Sequence, residues 1–164
     1  MGARGKKGMG RRRRERWCQS LVTPPGRHGR MAEQNERGIT PAIEDYVKTI
    51  ALAQQQEQKV NTNLVAARLD VSAASVTKVF QRLQQLELIE YTRYYGVTLT
   101  ETGQQLAQAV LRRNRLVRMF LMKVLDFTFA EVQADADVLE HVISDALEQR
   151  IAAYLGVQYE EEYE

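Results

Sequence analysis

Three residues near the end of the chain have the types and the spacing to hold a cation. Asp137, Glu140 and His141 stand at i, i+3 and i+4, so on an α-helix two carboxylates and an imidazole share one face within reach of a single ion. Oxygen and imidazole donors suit manganese(II) or iron(II), whereas zinc sites more often draw on thiolates, and the sequence holds one cysteine, Cys18. The same spacing arises on many solvated helices, so the triplet alone marks a candidate. A second set of groups, suited to a polyanion, lies earlier: Ser75, Thr77, Lys78, Gln81, Arg82 and Gln85. Short hydroxyls, amides and cations on one helical face can reach base edges and phosphates. A solvated face on an ordinary amphipathic helix would read the same way.

The elements that must position these groups follow from apolar spacing. Asn61 or Thr62 caps a helix over residues 62–69 with Leu64, Val65, Ala67 and Leu69 as its apolar positions. Asp70, Val71 and Ser72 turn the chain, and Ser72 caps a second helix over residues 73–86. Its Val76, Val79, Phe80, Leu83 and Leu86 recur at threes and fours. Residues 89–91 and 97–99 are short β-type runs around a turn containing Gly96, with Arg93, Tyr94 and Tyr95 at the tip. Helix, turn, helix and hairpin make a winged helix-turn-helix, and a cationic, aromatic tip suits a wing on the sugar-phosphate backbone.

Upstream, Thr40 caps and Pro41 begins a helix over residues 41–56, where the missing proline amide costs nothing. It packs through Ile43, Tyr46, Val47, Ile50 and Leu52 or Ala53. Downstream, residues 101–125 form a long helix with Leu106, Val110, Val117, Phe120, Leu121 and Val124 on its apolar side. A short helix at 129–134 and a longer one at 135–155, carrying the acidic triplet, complete a mainly α chain.

The net charge of +2 hides an asymmetry. Residues 37–125 hold twelve basic and seven acidic side chains, and residues 126–164 hold one and eleven. The basic part contains the helix-turn-helix, where phosphate favours it; the acidic part would repel DNA and attract cations. Residues 1–36 read as a disordered basic leader, with ten Lys or Arg among the first thirty. Met31 is the expected true start, and a basic arm on DNA is the functional alternative. Residues 37–100 are the expected DNA-binding domain, 101–157 the helical second domain and 158–164 a disordered acidic tail. One cysteine and no long apolar run point to a reducing cytoplasm with no membrane partner. A hydrolase using Glu140 as base and His141 as ligand is disfavoured, since no oxyanion support or motif for a small organic substrate accompanies them. An adaptor that keeps the fold without DNA binding is disfavoured by Lys78, Arg82 and the basic wing.

The strings IEDY (43–46), LDVSAASVTKVFQRL, YYGVTLTETG, VLRRNRL (110–116) and LEHVISD (139–145) resemble the diphtheria-toxin-repressor family of iron- and manganese-dependent regulators. The likeness runs from about residue 40 to residue 155 and is greatest to the short manganese transport regulators, because 164 residues leave no room for an SH3-like carboxy-terminal domain. The resemblance implies a homodimeric repressor of metal-uptake transporter genes, bound to a palindromic double-stranded operator. It adds Asp45 as the amino-terminal ligand to Asp137, Glu140 and His141, with manganese(II) or iron(II) at a single site per subunit. It also matches Ser72, Ala74, Thr77 and Lys78 to the recognition positions, with Arg82, Arg93 and Tyr94 as phosphate candidates and Ser75 beside them.

Four positions depart from the family pattern. Lys48 replaces a carboxylate and Asn114 a histidine of the binuclear site, while Arg118 and Gln133 replace a carboxylate and a histidine of the ancillary site. Two expectations follow. Either one metal sits among Asp45, Asp137, Glu140 and His141 with help from Asn114, or Lys48 and Arg118 replace the metal's charge and the regulator is metal-independent.

Overall fold

The computed structural model describes residues 38–56, 59–92 and 95–157. The leader with its candidate start Met31, the wing-tip candidates Arg93 and Tyr94, and the tail from residue 158 lie outside the described residues. What is described is mainly helical, as expected.

Helix α1 (Pro41–Gln55) begins with Pro41 in its first turn, where the Thr40 side chain accepts from the Ile43 amide. The Asn61 side chain caps α2 (Thr62–Leu69) by accepting from the Leu64 amide at 3.0 Å. Asp70 then takes a left-handed φ of 52°, a conformation that a short polar side chain tolerates. Helix α3 (Ala73–Gln85) starts at Ser72, whose hydroxyl accepts from the Ser75 amide at 3.1 Å. It ends one residue before the expected Leu86.

The wing is the antiparallel pair β1 (Ile89–Thr92) and β2 (Gly96–Leu99), each a residue longer than expected, with Ile89 opposite Leu99 and Tyr91 opposite Val97. These four side chains share one face by strand alternation and turn it to the core. Gly96 has φ 115°, and a Cβ there would stand 2.7 Å from the Val60 carbonyl oxygen. Only glycine serves both demands.

Helix α4 (Glu101–Val124) is the spine. Its first half packs Leu106, Ala107 and Val110 into one core with Val47 and Ile50 of α1, Val65 of α2, Phe80 and Leu83 of α3, and Val97 of the wing. Its second half contributes Val117 and Leu121 to a smaller core with Val132, Ala136 and Ile143, while Leu116 packs on Ile151 and Ala152. One continuous helix therefore joins the winged unit to the second unit.

The single helix expected over residues 135–155 is replaced by α5 (Val132–Leu139), a turn, and α6 (Asp145–Leu155). Two local causes break it. Ile143 turns into the second core, and Ser144 adopts an extended conformation whose hydroxyl caps the Leu147 amide at 3.3 Å. Asp145 and Glu148 add negative charge in the first turn of α6, where the helix dipole favours it. The expected short helix at 129–134 is not separate either. Thr128 and Glu131 exchange hydrogen bonds in a turn that leads straight into α5.

Candidate functional site

Helix α5 stops at Leu139, so Asp137 is helical while Glu140 and His141 follow its end. Asp137 lies in the last turn of α5, Glu140 caps it, and His141 enters the following turn. The turn sends His141 back toward α1. There Asp45, Glu140 and His141 each offer one ligand atom, and the three atoms lie within 4.8 Å of one another. His141 Nε2 is 3.1 Å from Asp45 Oδ1 and 3.5 Å from Glu140 Oε1.

Asp137 stands apart from this trio. Its Oδ1 accepts from Lys48 Nζ at 3.1 Å and from Asn114 Nδ2 at 3.0 Å, and its Oδ2 accepts from Gln133 Nε2 at 2.9 Å. All three donors are positions at which the family pattern has changed. Lys48 Nζ also donates to Glu140 Oε1 at 2.5 Å. Burial opposes the Lys48 ammonium, but its bonds to Glu140 and Asp137 outweigh that and hold its pKa above the ordinary lysine value. Burial likewise opposes ionised Asp137 and is outweighed by Gln133, Lys48 and Asn114, so that carboxyl titrates below its ordinary value. At Glu140 burial prevails over Lys48 and pushes the carboxyl up.

Arg118, expected beside Lys48 as a substitute charge, packs over the Phe129 ring at 5.2 Å, and no ion pair joins it to the cluster among the described residues. The second cation is Arg113. It is buried on α4, donating from Nη2 to Glu44 Oε1 at 3.2 Å and from Nη1 to the Glu140 carbonyl at 2.9 Å. Glu44 is also buried, and its Oε2 is 2.5 Å from His141 Nδ1. Neither residue was singled out from the sequence, yet each carried a signal. Arg113 falls on the stripe Leu106, Val110, Val117, Leu121, and Glu44 sits between Ile43 and Val47 on the inward side of α1. A charge on a buried stripe requires a partner.

The donor chemistry fits a divalent cation. Four carboxylates (Glu44, Asp45, Asp137, Glu140) face two cations (Lys48, Arg113), leaving a charge of minus two when His141 is neutral and the carboxyls are ionised. Glu140 Oε2 is buried and has no hydrogen-bond partner. An orphaned carboxylate oxygen beside a second carboxylate and an imidazole nitrogen is a set that hard or borderline ions accept.

On α3, Ser75, Lys78, Gln81, Arg82 and Gln85 are exposed while Val76, Phe80 and Leu83 are buried. Thr77 is half-buried and donates its hydroxyl to the Ala73 carbonyl at 3.0 Å. Ser72 is exposed but committed as the cap, and Ala74 is exposed beside it. These side chains form an exposed polar face along the length of α3.

Comparison with known proteins finds one family for both units. Residues 38–97 match the family model described as iron dependent repressor, N-terminal DNA binding domain, and residues 100–161 match iron dependent repressor, metal binding and dimerisation domain. The chain belongs to the iron-dependent repressor family, that of the diphtheria-toxin repressor. It is 31% identical over 111 residues to the HTH-type transcriptional regulator MntR of Shouchella clausii, covering 67% of this chain and 77% of that one. An uncharacterized HTH-type transcriptional regulator of Methanocaldococcus jannaschii is 28% identical over 118 residues, 71% of this chain and 94% of the relative. A solved manganese-dependent transcriptional repressor in complex with manganese is similar with a TM-score of 0.67 and 38% identity. That match covers 71% of this chain and 53% of the other, so the chain spans about half the length of that structure. No helix among the described residues is long and apolar enough to cross a membrane.

Proposed function

We propose that this family member is a metal-responsive transcriptional repressor that binds a palindromic operator as a homodimer, with one manganese(II) or iron(II) per subunit. Asp45, Glu140 and His141 hold the ion. Asp137 joins them only on release from Lys48. The observation that carries this reading is the convergence of Asp45 on α1 with Glu140 and His141 after α5, because that ligand set ties the winged unit to the second unit. When bound, the ion neutralises the surplus carboxylate charge and cross-links the two units. Asp45 and His141 then hold α1 in one orientation, and the two α3 helices of a dimer keep the spacing of successive major grooves, a population shift rather than a contact with DNA.

Exposed apolar side chains on the second unit, Leu125, Phe129, Leu147 and Tyr154 among them, supply a surface for the second copy. Ser75, Lys78 and Arg82 meet the operator, with Ser72 and Ala74 at the helix entry. The genes controlled are metal-uptake transporters, and the protein acts in the cytoplasm as a regulator rather than a catalyst. His141→Ala tests the reading. Operator binding in manganese(II) is expected to fall to its level in chelator, and undiminished metal-stimulated binding would remove His141 from the site.

A second reading rests on the Lys48 contacts with Glu140 and Asp137. In it the ammonium already fills the ion's electrostatic role and operator binding needs no metal. Glu140 Oε2, left without a partner, favours the metal-responsive reading.

A further inference from the structure

Glu44 is not one of the three ligand groups, yet it is 4% exposed and both of its oxygens are engaged. Oε1 accepts from Arg113, and Oε2 faces His141 Nδ1. Both ring nitrogens face a carboxylate, which when ionised can only accept a hydrogen bond. Glu44 Oε2 is nearer, at 2.5 Å against 3.1 Å for Asp45 Oδ1, and is buried where Asp45 is open to solvent, so in the neutral ring the hydrogen sits on Nδ1. Nε2, the nitrogen that faces Asp45 and Glu140, keeps its lone pair. Arg113 is buried too, and its second nitrogen fixes the Glu140 carbonyl at 2.9 Å. One guanidinium on α4 thus holds both the carboxylate that orients His141 and the backbone from which the Glu140 and His141 ligands project.

We propose that Glu44, held by Arg113, is the positioning residue of the metal site: its buried carboxylate selects the His141 tautomer that leaves Nε2 free for a cation. The proposal rests on the metal-responsive reading above. Glu44 acts through His141, as outer-shell carboxylates do where they fix the ring of a ligating histidine.

Glu44→Gln isolates the effect. Its amide oxygen still accepts from Arg113, but its NH2 group now donates to Nδ1 and drives the hydrogen to Nε2. Imidazole nitrogen-15 spectra of the full chain in chelator, with His28→Gln removing the only other histidine, are expected to show the Nδ1–H form in the wild type and the Nε2–H form in Glu44→Gln. The manganese(II) Kd, read from the paramagnetic resonance of the free ion, is expected to weaken about 10- to 100-fold. Glu44→Asp keeps an acceptor-only group and is expected to keep the Nδ1–H form, which covers the case in which Glu44→Gln does not fold. An unchanged tautomer and Kd in Glu44→Gln, or an Nε2–H form in Glu44→Asp, overturns the proposal. A wild type that binds no manganese(II) overturns the metal reading instead, and the tautomer spectra still judge Glu44.

Discussion

The Lys48 ammonium of α1 lies 2.5 Å from Oε1 of Glu140, a side chain with no solvent exposure at the end of α5. Where the family pattern has a carboxylate, this chain has a tethered cation. That cation meets one oxygen of Glu140 and leaves the other without a partner. Charge compensation is therefore begun by the protein and left incomplete.

Lys48→Met removes the ammonium and leaves Glu140 buried without its counter-charge. Breaking a buried pair from one side costs about 3 kcal/mol, so urea denaturation in chelator is expected to show a loss of that order. Saturating manganese(II) should recover more stability in the variant than it adds to the wild type. Equal metal-induced stabilisation in the two proteins would mean that Lys48 and the ion do not compete for the same carboxylates.

The same contact gives a pH dependence. The Lys48 pKa is raised in the folded protein, so its stabilising contribution is complete below the unfolded value of about 10.4 and is lost as pH rises through the folded value. Thermal midpoints in chelator are expected to fall across that alkaline window more steeply in the wild type than in Lys48→Met. At the acid end the sign reverses for Asp137, whose depressed pKa gives stability above about pH 3.9 that is lost as pH falls through the folded value. Parallel alkaline limbs in the two proteins would contradict the role given to Lys48.

Ser144 holds open the break that turns His141 toward α1. Removing its hydroxyl frees the Leu147 amide, and Ser144→Ala should cost about 1 kcal/mol with a matching drop in melting temperature. Affinity for manganese(II) should fall as well, since residues 140–144 lose their fixed path. A melting temperature equal to the wild type would show that the break does not depend on the cap.

Lys78 is exposed on the outer face of α3. Lys78→Ala is expected to weaken operator binding without changing the melting temperature, and to lower the slope of log affinity against log salt by about one if the lysine meets a phosphate. Unchanged affinity and slope would remove Lys78 from the interface.

The winged unit was legible in the sequence because its signals are local. Asn61 and Ser72 cap where polar residues precede apolar stripes, and Val76, Phe80 and Leu83 face inward as their spacing demands. The second unit was less legible because its elements are set by tertiary packing. The acidic run from Asp135 reads as continuous helix, and only the Ser144-Asp145 pair, a capping signal inside that run, announces the break. The candidate ligands Asp45, Glu140 and His141 were readable by type and resemblance. Their orienting partners Glu44 and Arg113 were not, since pairing across 69 residues leaves no local trace beyond a charge on a buried stripe. Asp137 was readable as an acid at ligand spacing, but its capture by Lys48 and Asn114 depends on where α1 and α4 cross it.

The most direct test is fluorescence anisotropy of the full chain on duplexes from its own upstream region and from neighbouring manganese or iron transporter promoters, with manganese(II), anaerobic iron(II) or chelator. Specific binding is expected to be at least about tenfold tighter with one of the two ions than in chelator, the scale of an ordinary allosteric coupling. Equally tight specific binding in chelator would contradict it and show that Lys48 has taken over the ion's role.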